Sequence, residues 1–403
     1  MGLIVQKFGG SSVADADRIR NVARIITETY QRGHMVVAVL SAQGDTTDDL
    51  IAKAGEINPH ASKREMDMLL STGEQISCSL CAMAIEAMGY PVVSLTGWQA
   101  GVQSSSAHSA ARIDRISTER VLSELDKKRI VIVTGFQGIT KSGDISTLGR
   151  GGSDTSAVAL AAVLHADLCQ IYTDVDGVYT ADPRIVKNAH KLDEITFDEM
   201  LELASLGAQV LHNRSVEMAK RYNVNLEVIS SFSGNPGTKV KEVVKKMEKF
   251  HVSGVAKDSD IARIALVGLR DEPGIAFHVF SLLAKKGVNV DIILQSIGRD
   301  ETKDISFTVA KSDVALAKSV LEESQPFLLF KHLDVNEDVA KVSIVGAGMV
   351  NNPGVASKMF EALFNGGINI HMISTSEIKV SVLVDSQDAK RAVQVIHEKF
   401  FGE

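Results

Sequence analysis

The sequence contains little cysteine, few aromatic residues and no excess of positive charge. Its three cysteines, Cys78, Cys81 and Cys169, are too few for the disulfide framework of a small secreted fold. Cys78 and Cys81 form a C-x-x-C motif, but no second such pair follows and both lie in an apolar, helix-like stretch. We therefore expect buried thiols rather than a redox pair or a zinc site.

The charge and hydropathy of the chain exclude further classes of protein. A net charge of −7 argues against an extended nucleic-acid-binding surface. No apolar run approaches the roughly 18 residues of a membrane span, and the strand-like Leu3–Phe8 begins the chain without a signal-peptide pattern. These observations predict a cytoplasmic protein without nucleic-acid or membrane partners. A polyanion would need local cations, together with a metal ion, to bind here.

Residues 1–238 alternate short β-rich runs with amphipathic helices. This alternation predicts a layered α/β domain with a mainly parallel central sheet, whose ligands lie beyond the carboxyl ends of the strands. The strand candidates are Leu3–Phe8, Met35–Leu40, Val92–Leu95, Ile130–Val133, Leu168–Thr173 and Leu226–Ile229. The helix candidates are Arg18–Tyr30, Met66–Met88, Ser117–Lys127 and Thr155–Leu164.

The remainder of the chain contains an internal repeat. Turn-forming residues at Ser233–Gly237, followed by a charged, helix-like stretch at Lys239–Lys249, mark the end of the first domain. A pattern of strand, Pro-Gly turn, helix, two strands and helix then occurs twice, which predicts two ferredoxin-like βαββαβ modules. We place the first module at residues 250–335, with 250–262 available to the second, and the second module at residues 336–403.

The motif Lys7-Phe8-Gly9-Gly10 stands at the end of the first predicted strand. Two glycines let the backbone approach a phosphate closely, and the lysine adds a mobile positive charge. The following helix would point its N-terminus at the same place. The stretch lacks the G-x-x-x-x-G-K-[ST] pattern of a P-loop, and a strand-to-helix turn with an exposed lysine is the alternative.

A second glycine-rich turn, Leu148–Ser156, precedes another predicted helix. Arg150 can grip a carboxylate with two parallel hydrogen bonds. Helix capping by Ser153, Asp154 or Thr155 is the alternative, but it accounts for one of these residues rather than for the whole pattern.

A polar loop and three single residues complete the candidates. The loop Tyr172–Arg184 carries tyrosines, aspartates and an arginine that suit a nucleotide, although a hydrophilic turn would have the same composition. Ser41 ends a predicted strand, where ligand contacts are common. Thr47 follows Asp45 at a point where N-cap duty is an equal explanation. Glu74 is either a ligand contact or a solvated first-turn glutamate.

Together and in this order, the motifs resemble the monofunctional aspartokinases of the amino acid kinase family, which carry two C-terminal ACT modules. The resemblance covers essentially the whole chain. It rests on Lys7–Ser12, Met68–Glu74, Leu148–Asp154, Tyr172–Arg184 and the paired modules ending in Ser374–Glu377. It implies transfer of the γ-phosphoryl group of ATP, bound with Mg²⁺, to the side-chain carboxylate of L-aspartate. This reaction is the first step toward lysine, threonine and methionine.

The resemblance also implies residue roles. Lys7 and Asp154 would be catalytic, with Asp154 orienting Lys7, and no protein group is assigned as a metal ligand. The ATP contacts would be Lys7, Phe8, Gly9, Gly10, Ser41, Thr173, Asp174, Tyr179, Arg184, Gln209 and Val210. The aspartate contacts would be Thr47, Glu74, Arg150, Gly151, Gly152 and Ser153. Many relatives have lysine near Gln209, so Arg184 is expected to supply that cation.

For the second half, the resemblance implies feedback inhibition by lysine, threonine or both. The implied effector contacts are Asp271, Gly274, Ala276, Asn289, Asp291, Gln295, Val355, Asn369, Ile370, Ser376 and Glu377. A homodimer or higher assembly through the ACT modules is expected, and a short regulatory product would start near Met247. Two rivals stay open: a family member acting on glutamate, acetylglutamate or UMP, and a non-catalytic amino-acid-binding regulator.

Overall fold

The computed structural model describes residues 2–206, 210–243, 252–297, 302–347, 349, 352 and 354–402. The chain forms two compact units. The N-terminal unit comprises Met1–Tyr179, His190–Ser205 and Gln209–Met247. The C-terminal unit comprises Thr180–Ala189, Leu206–Ala208 and Glu248–Glu403. Two short segments that lie before residue 210 therefore belong to the C-terminal unit.

The N-terminal unit is an α/β structure. Its strands are β1 (Leu3–Phe8), β2 (Met35–Leu40), β3 (Val92–Leu95), β4 (Val102–Ser104), β5 (Ile113–Ile116), β6 (Ile130–Thr134), β7 (Gln137–Ile139), β8 (Ile145–Thr147), β9 (Leu168–Thr173), β10 (Glu194–Thr196), β11 (Leu226–Ser230) and β12 (Thr238–Lys241). Its helices are α1 (Ala16–Gln31), α2 (Thr46–Ile57), α3 (Lys63–Ala87), α4 (Glu119–Asp126), α5 (Gly152–Val163), α6 (Phe197–Ser205) and α7 (Asn213–Tyr222).

An eight-stranded sheet in the order β10-β12-β11-β9-β1-β2-β6-β3 forms the centre of this unit. All its pairs are parallel except β11 with β12. Strands β2 and β6 are almost continuously buried and apolar, as is typical of parallel strands covered on both faces. The predicted fold class is confirmed. The carboxyl ends of β1, β2, β6 and β9 meet at one edge, where the glycine-rich turns follow.

Helix α3 is long and apolar enough to cross a membrane by length and composition, contrary to the expectation from the sequence. Half of its most apolar 18-residue stretch is buried inside the fold. The helix also carries the buried acids Asp67 and Glu74. Cys78 and Cys81 lie on its buried face, as predicted, and burial raises the pKa of Cys81 to about 12. These features are those of a core helix.

Strand β12 corrects one prediction. Lys239–Lys241 belong to this strand and not to a helix, and residues 244–249 lie outside the described part of the chain. Thr238 and Val240 are buried while Lys239 is exposed. The alternation is thus that of a strand, and the density of lysines had hidden it.

The C-terminal unit contains two βαββαβ modules. Its strands are β13 (Gly254–Asp258), β14 (Ile261–Arg270), β15 (Ile293–Ile297), β16 (Thr302–Ala310), β17 (His332–Asn336), β18 (Val339–Val345), β19 (Met372–Thr375) and β20 (Lys379–Asp385). Its helices are α8 (Ile275–Lys285), α9 (Val314–Glu323), α10 (Gln325–Leu328), α11 (Val355–Asn365) and α12 (Ala389–Phe401).

Each module has an antiparallel four-stranded sheet, ordered β15-β16-β14-β17 in the first and β13-β18-β20-β19 in the second. Strand β13 precedes the first module in sequence but pairs with β18 of the second. Helices α8 and α11 both begin after a glycine in the left-handed region, Gly274 at φ 95° and Gly354 at φ 97°. The repeated Pro-Gly turn therefore supplies the conformation that starts each helix.

The segment Thr180–Ala189 packs within the second module. The Val255 N–H donates to the carbonyl of Thr180 at 2.7 Å, and Thr180 Oγ1 shares a 2.9 Å hydrogen bond with His397 Nε2. Ala181 and Val186 are buried in the same hydrophobic cluster as residues of β18, β20, α11 and α12. The last five residues of the polar loop Tyr172–Arg184 thus belong to the C-terminal unit.

Candidate active site

The centre of the candidate site is an ion pair between β1 and α5. Lys7 Nζ lies 2.7 Å from Asp154 Oδ1, and each side chain is only 12% exposed. Lys7 comes from the carboxyl end of β1, and Asp154 from the first turn of α5. Because both groups are largely shielded from water, the acid can fix the position of the ammonium group more strongly than a surface pair would.

The Gly9–Gly10 turn after β1 has no room for a side chain at Gly10. A Cβ on Gly10 would lie 2.9 Å from the carbonyl oxygen of Ala42 and 3.1 Å from that of Gly44. The Gly44 N–H donates to the Gly10 carbonyl at 3.0 Å, and the Gly9 N–H donates weakly to Tyr172 at 3.4 Å. The turn is therefore held tightly beside Lys7, with the open backbone that phosphate binding needs.

The N-terminus of α5 is packed against the ends of neighbouring strands. Gly151 precedes the helix with φ 68° and acts as its N-cap, so Ser153, Asp154 and Thr155 stand inside the first turn rather than at the cap. A Cβ on Gly135, which follows β6, would lie 2.7 Å from Ser153. This contact brings the positive end of the α5 dipole to the strand ends that carry Lys7.

Glu74 lies on the buried face of α3 and is 3% exposed, so it is not a solvated first-turn residue. Its Oε1 accepts a hydrogen bond from the Ala42 N–H at 3.2 Å. Its Oε2 is buried and makes no hydrogen bond within the described residues, and the nearby Gln137 side chain offsets only part of the effect of burial on the pKa of Glu74. Burial raises the pKa of Glu74 to about 7. Such a carboxylate is costly by itself and suits the ammonium group of a ligand.

Two other candidates for substrate contacts border this region. Thr47 is half-buried in the first turn of α2, and the N-cap position belongs to Asp45. Arg150 is exposed on the loop before α5 and forms no ion pair within the described residues. Its guanidinium group is thus available to a carboxylate from solution.

Sequence inspection missed Asp67, a fully buried acid on α3. Its carboxylate accepts hydrogen bonds from the backbone N–H groups of Ser109 and Thr147 and from Thr147 Oγ1, at 2.6 to 3.1 Å. It also pairs with His108 Nδ1 at 2.8 Å. Asp67 therefore organises the strand end that leads into the Arg150 loop. An acid within an apolar helix was the signal for it.

The polar loop after β9 divides between the units. In the N-terminal unit, Thr173 Oγ1 donates to Asp174 Oδ1 at 3.0 Å, and the hydroxyl of Tyr179 donates to Asp176 Oδ1 at 2.7 Å. Arg184 belongs to the C-terminal unit, is 88% exposed, and pairs with Asp182 at 2.9 Å. The structure therefore does not place Arg184 in the same unit as Lys7.

The remaining predicted nucleotide contacts have different positions. Ser41 follows β2, and its carbonyl accepts a hydrogen bond from Ser77 Oγ at 2.7 Å. Phe8 is buried and stacks on the ring of Tyr172 at a centroid distance of 4.5 Å. Val210 is half-buried, whereas Gln209 lies outside the described residues. The Ser12 hydroxyl, after the glycine turn, lies 2.8 Å from that of Ser231.

The predicted effector contacts lie at matching places in the two modules. Asp271 follows β14, Gly274 and Ala276 lie at the start of α8, and Val355 starts α11. The connections before the edge strands β15 and β19 hold Asn289, Asp291, Asn369 and Ile370, with Gln295 on β15. Ser376 and Glu377 follow β19. Asp291 is already paired, with Lys341 Nζ of the second module at 2.5 Å.

Comparison with known proteins agrees with the fold. Residues 2–230 match the amino acid kinase family, and residues 264–325 and 342–400 match an ACT domain family. Aspartokinase 2 of Bacillus subtilis is 51% identical over 400 residues, covering 99% of this chain and 98% of the relative. The chain therefore belongs to the amino acid kinase family and, within it, to the aspartokinases that carry C-terminal ACT domains. It is an enzyme of the kinase class.

Two solved structures of Escherichia coli aspartokinase III are also similar, each at 28% identity and 99% coverage of this chain. The R-state complex with aspartate and ADP gives a TM-score of 0.84 over 100% of that chain. The T-state complex with lysine and aspartate gives a TM-score of 0.78 over 99% of that chain.

Proposed function

We propose that this enzyme transfers the γ-phosphoryl group of ATP to the β-carboxylate of L-aspartate, giving 4-phospho-L-aspartate. The observation that carries this proposal is the shielded Lys7–Asp154 pair at the N-terminus of α5, beside the Gly9–Gly10 turn. Support for aspartate comes from Glu74 and Arg150, which match an ammonium and a carboxylate on one ligand, and from the aspartokinase relatives.

The acceptor carboxylate is ionised at neutral pH, so the reaction needs no general base. The barrier comes from repulsion between two anions and from charge spread over the phosphoryl oxygens in the transition state. Three features can stabilise that negative charge: Lys7, the backbone N–H groups of the glycine turn and the positive end of α5. We assign Lys7 to electrostatic stabilisation, and Asp154 to orienting it.

We further propose that Mg²⁺ enters with ATP and that Asp154 helps to position the metal–nucleotide. The carboxylate of Asp154 is a hard oxygen donor of the kind that Mg²⁺ prefers, and it would be shared between the ion and Lys7. The bound ion would supply partial neutralisation of the phosphate charge. Gly9, Gly10, Ser41, Thr173, Asp174 and Tyr179 are the proposed nucleotide contacts in the N-terminal unit. The same proposal includes Phe8, Val210, Gln209 and Arg184.

Regulation is proposed to occur in the C-terminal unit, with lysine, threonine or both as effectors. The lysine-bound T-state of the Escherichia coli relative supports this proposal. An effector inhibits only if it binds the less active state more tightly. Strand β15 exposes Ile293 and Leu294, and β19 exposes Ile373. These edge strands suit a homodimer or higher assembly.

Two smaller proposals complete the assignment. We place the enzyme in the cytoplasm, where its buried free thiols would stay reduced. A short regulatory product starting near Met247, which lies outside the described residues, is a further proposal. A single full-length band from native expression would rule out that product.

The test of the proposed reaction is ADP release with aspartate, with glutamate and without an acceptor. We expect turnover with aspartate only, and a decrease in kcat of about 10²–10³-fold in Lys7→Ala, because one preorganised cation is lost. Lys53→Ala, at an exposed position of α2, is the control and should leave kcat unchanged. Near-normal turnover of Lys7→Ala would overturn the assignment, and turnover with glutamate would favour the rival substrate.

A further inference from the structure

The loop that carries Arg150 is anchored by the first turn of α7. Arg214 Nη1 donates to the carbonyl of Leu148 at 3.0 Å, and Arg214 Nη2 donates to the carbonyl of Ala111 at 3.0 Å. The planar guanidinium group thus bridges two backbone segments, the one before α5 and the one before β5. A rigid fork of donors suits this role, whereas a lysine ammonium could not hold the same geometry.

The positive charge of Arg214 is not neutralised by an acidic side chain among the described residues. The side chain is half-buried, and burial together with nearby Arg112 lowers the pKa of its guanidinium group. Among the described residues, no ion pair involves Arg214. A partly desolvated cation without an acid is costly unless its donors are satisfied. Both of its side-chain hydrogen bonds go to backbone carbonyls around the Arg150 loop.

The residue before α7 closes the loop from the same direction. Gly151 lies against the ring of His212, where a Cβ on Gly151 would be 2.2 Å from Cγ of the histidine. The His212 side chain in turn accepts a hydrogen bond from the Arg214 N–H at 3.4 Å. The start of α7 therefore blocks one side of the loop, and Arg214 holds the Leu148 carbonyl. Arg150, which lies between Gly149 and Gly151, has little freedom to move as a result.

We propose that Arg214 is a positioning residue for aspartate recognition. It fixes the Leu148–Gly151 loop so that Arg150 is presented at the N-terminus of α5. The inference rests on the proposed role of Arg150 as the carboxylate contact. Since Arg214 does not touch the Lys7–Asp154 pair, its loss should weaken aspartate binding much more than phosphoryl transfer or ATP binding.

The test compares steady-state kinetics of Arg214→Ala, Arg214→Lys and Arg221→Met. Arg214→Ala should raise the KM for aspartate at least about 10-fold, because two charged hydrogen bonds to the loop are lost. The KM for ATP and kcat should stay within about twofold, a change too small to indicate a lost interaction. Arg214→Lys should be intermediate. Arg221 is the matched control, since it lies exposed on the same helix against Tyr222.

Chemical rescue separates positioning from simple structural support. Millimolar guanidinium added to Arg214→Ala should restore much of the aspartate KM and should not change that of Arg221→Met. A structural role alone predicts that kcat and both KM values deteriorate together without rescue, and that result would overturn the inference. If Arg214→Ala does not fold, Arg214→Lys carries the same KM comparison.

Arg150→Ala distinguishes failure of this inference from failure of the proposed function. A large rise of the aspartate KM in Arg150→Ala, with none in the Arg214 variants, would refute the positioning role and leave the function intact. An unchanged aspartate KM in Arg150→Ala would refute the substrate role of the loop itself, and with it the inference.

Discussion

At the scale of single residues, burial of the Glu74 carboxylate destabilises the ligand-free protein, and a bound ammonium group would relieve that cost. Its folded pKa of about 7 lies above the ordinary value of 4.5 because the carboxylate is buried. Above pH 7 the group is charged in both the folded and the unfolded state, and the fold bears the full desolvation cost. As the pH falls from 7 to 4.5, the folded state takes up a proton first and the cost disappears.

Glu74→Gln should therefore stabilise the ligand-free protein at high pH while weakening aspartate binding. We expect the free energy of unfolding to rise at pH 8 by up to roughly 3 kcal/mol, since glutamine can still accept from the Ala42 N–H without bearing a charge. The gain should shrink toward zero at about pH 4.5. Thermal unfolding at several pH values measures this gain in stability. The KM of the Glu74→Gln variant for aspartate should be higher than that of the wild type.

Glu86→Gln is the matched control for this prediction because Glu86 lies exposed on the same helix. It should give no pH-dependent gain in stability. A second consequence follows for the wild-type enzyme: since the ammonium group of aspartate pairs with the ionised carboxylate, the KM for aspartate should increase as the pH falls below about 7. A Glu74→Gln variant that is less stable at pH 8 than the wild type would contradict this account.

At the scale of elements, the position of α5 depends on close packing where β6 ends. Gly135 follows β6, donates its N–H to the Leu40 carbonyl at 2.9 Å, and leaves no space between the strand end and Ser153. A side chain there would move the first turn of α5, and with it Asp154, away from β1. The strand end therefore sets the distance between Lys7 and Asp154.

Gly135→Ala should thus lower kcat by about 10²-fold, because a displacement of about 1 Å at the reacting groups has effects of that size. Steady-state kinetics with both substrates measures the loss. Gly55→Ala is the control, since Gly55 lies in α2 and a Cβ added there would meet no atom of the described residues within 4 Å. It should be neutral or slightly stabilising. Wild-type kcat in Gly135→Ala would show that α5 can shift without consequence.

The same elements show what sequence patterns could and could not predict. The strands of the central sheet and the helices that connect them could be predicted from apolar runs and periodicity. The predicted bounds of β1, β2, β3 and β9 match the structure to the residue. The sheet β5-β4-β7-β8 was not, because its strands have three or four residues and mix apolar with polar side chains, so no apolar run marks them. Arg214 was missed because it acts on backbone groups far away in sequence, which no local motif records. For Asp67 the only signal was an acid within an apolar helix, and that signal does not show which distant groups the acid binds.

At the scale of the whole molecule, the polar loop after β9 runs from the N-terminal unit into the C-terminal unit. In the N-terminal unit, the Val178 N–H donates to Thr238 Oγ1 at 2.8 Å. One residue after Tyr179, the chain enters the C-terminal unit, where Gln394 Nε2 donates to the Ile185 carbonyl at 3.0 Å. A change in the packing of the second module therefore has a covalent route to the proposed nucleotide contacts.

Val186→Ala tests whether that route carries coupling. The substitution removes two methyl groups from the core of the second module beside the loop segment. We expect the KM for ATP to rise about fivefold or more, a typical coupling between sites, with the KM for aspartate unchanged. Val384→Ala is the matched control because it makes the same change in the same cluster, on β20. Both variants should lose similar thermal stability. If the KM for ATP does not respond to Val186→Ala, the packing of the segment does not influence nucleotide binding. An equal response to both variants would show that the effect is not specific to the loop segment.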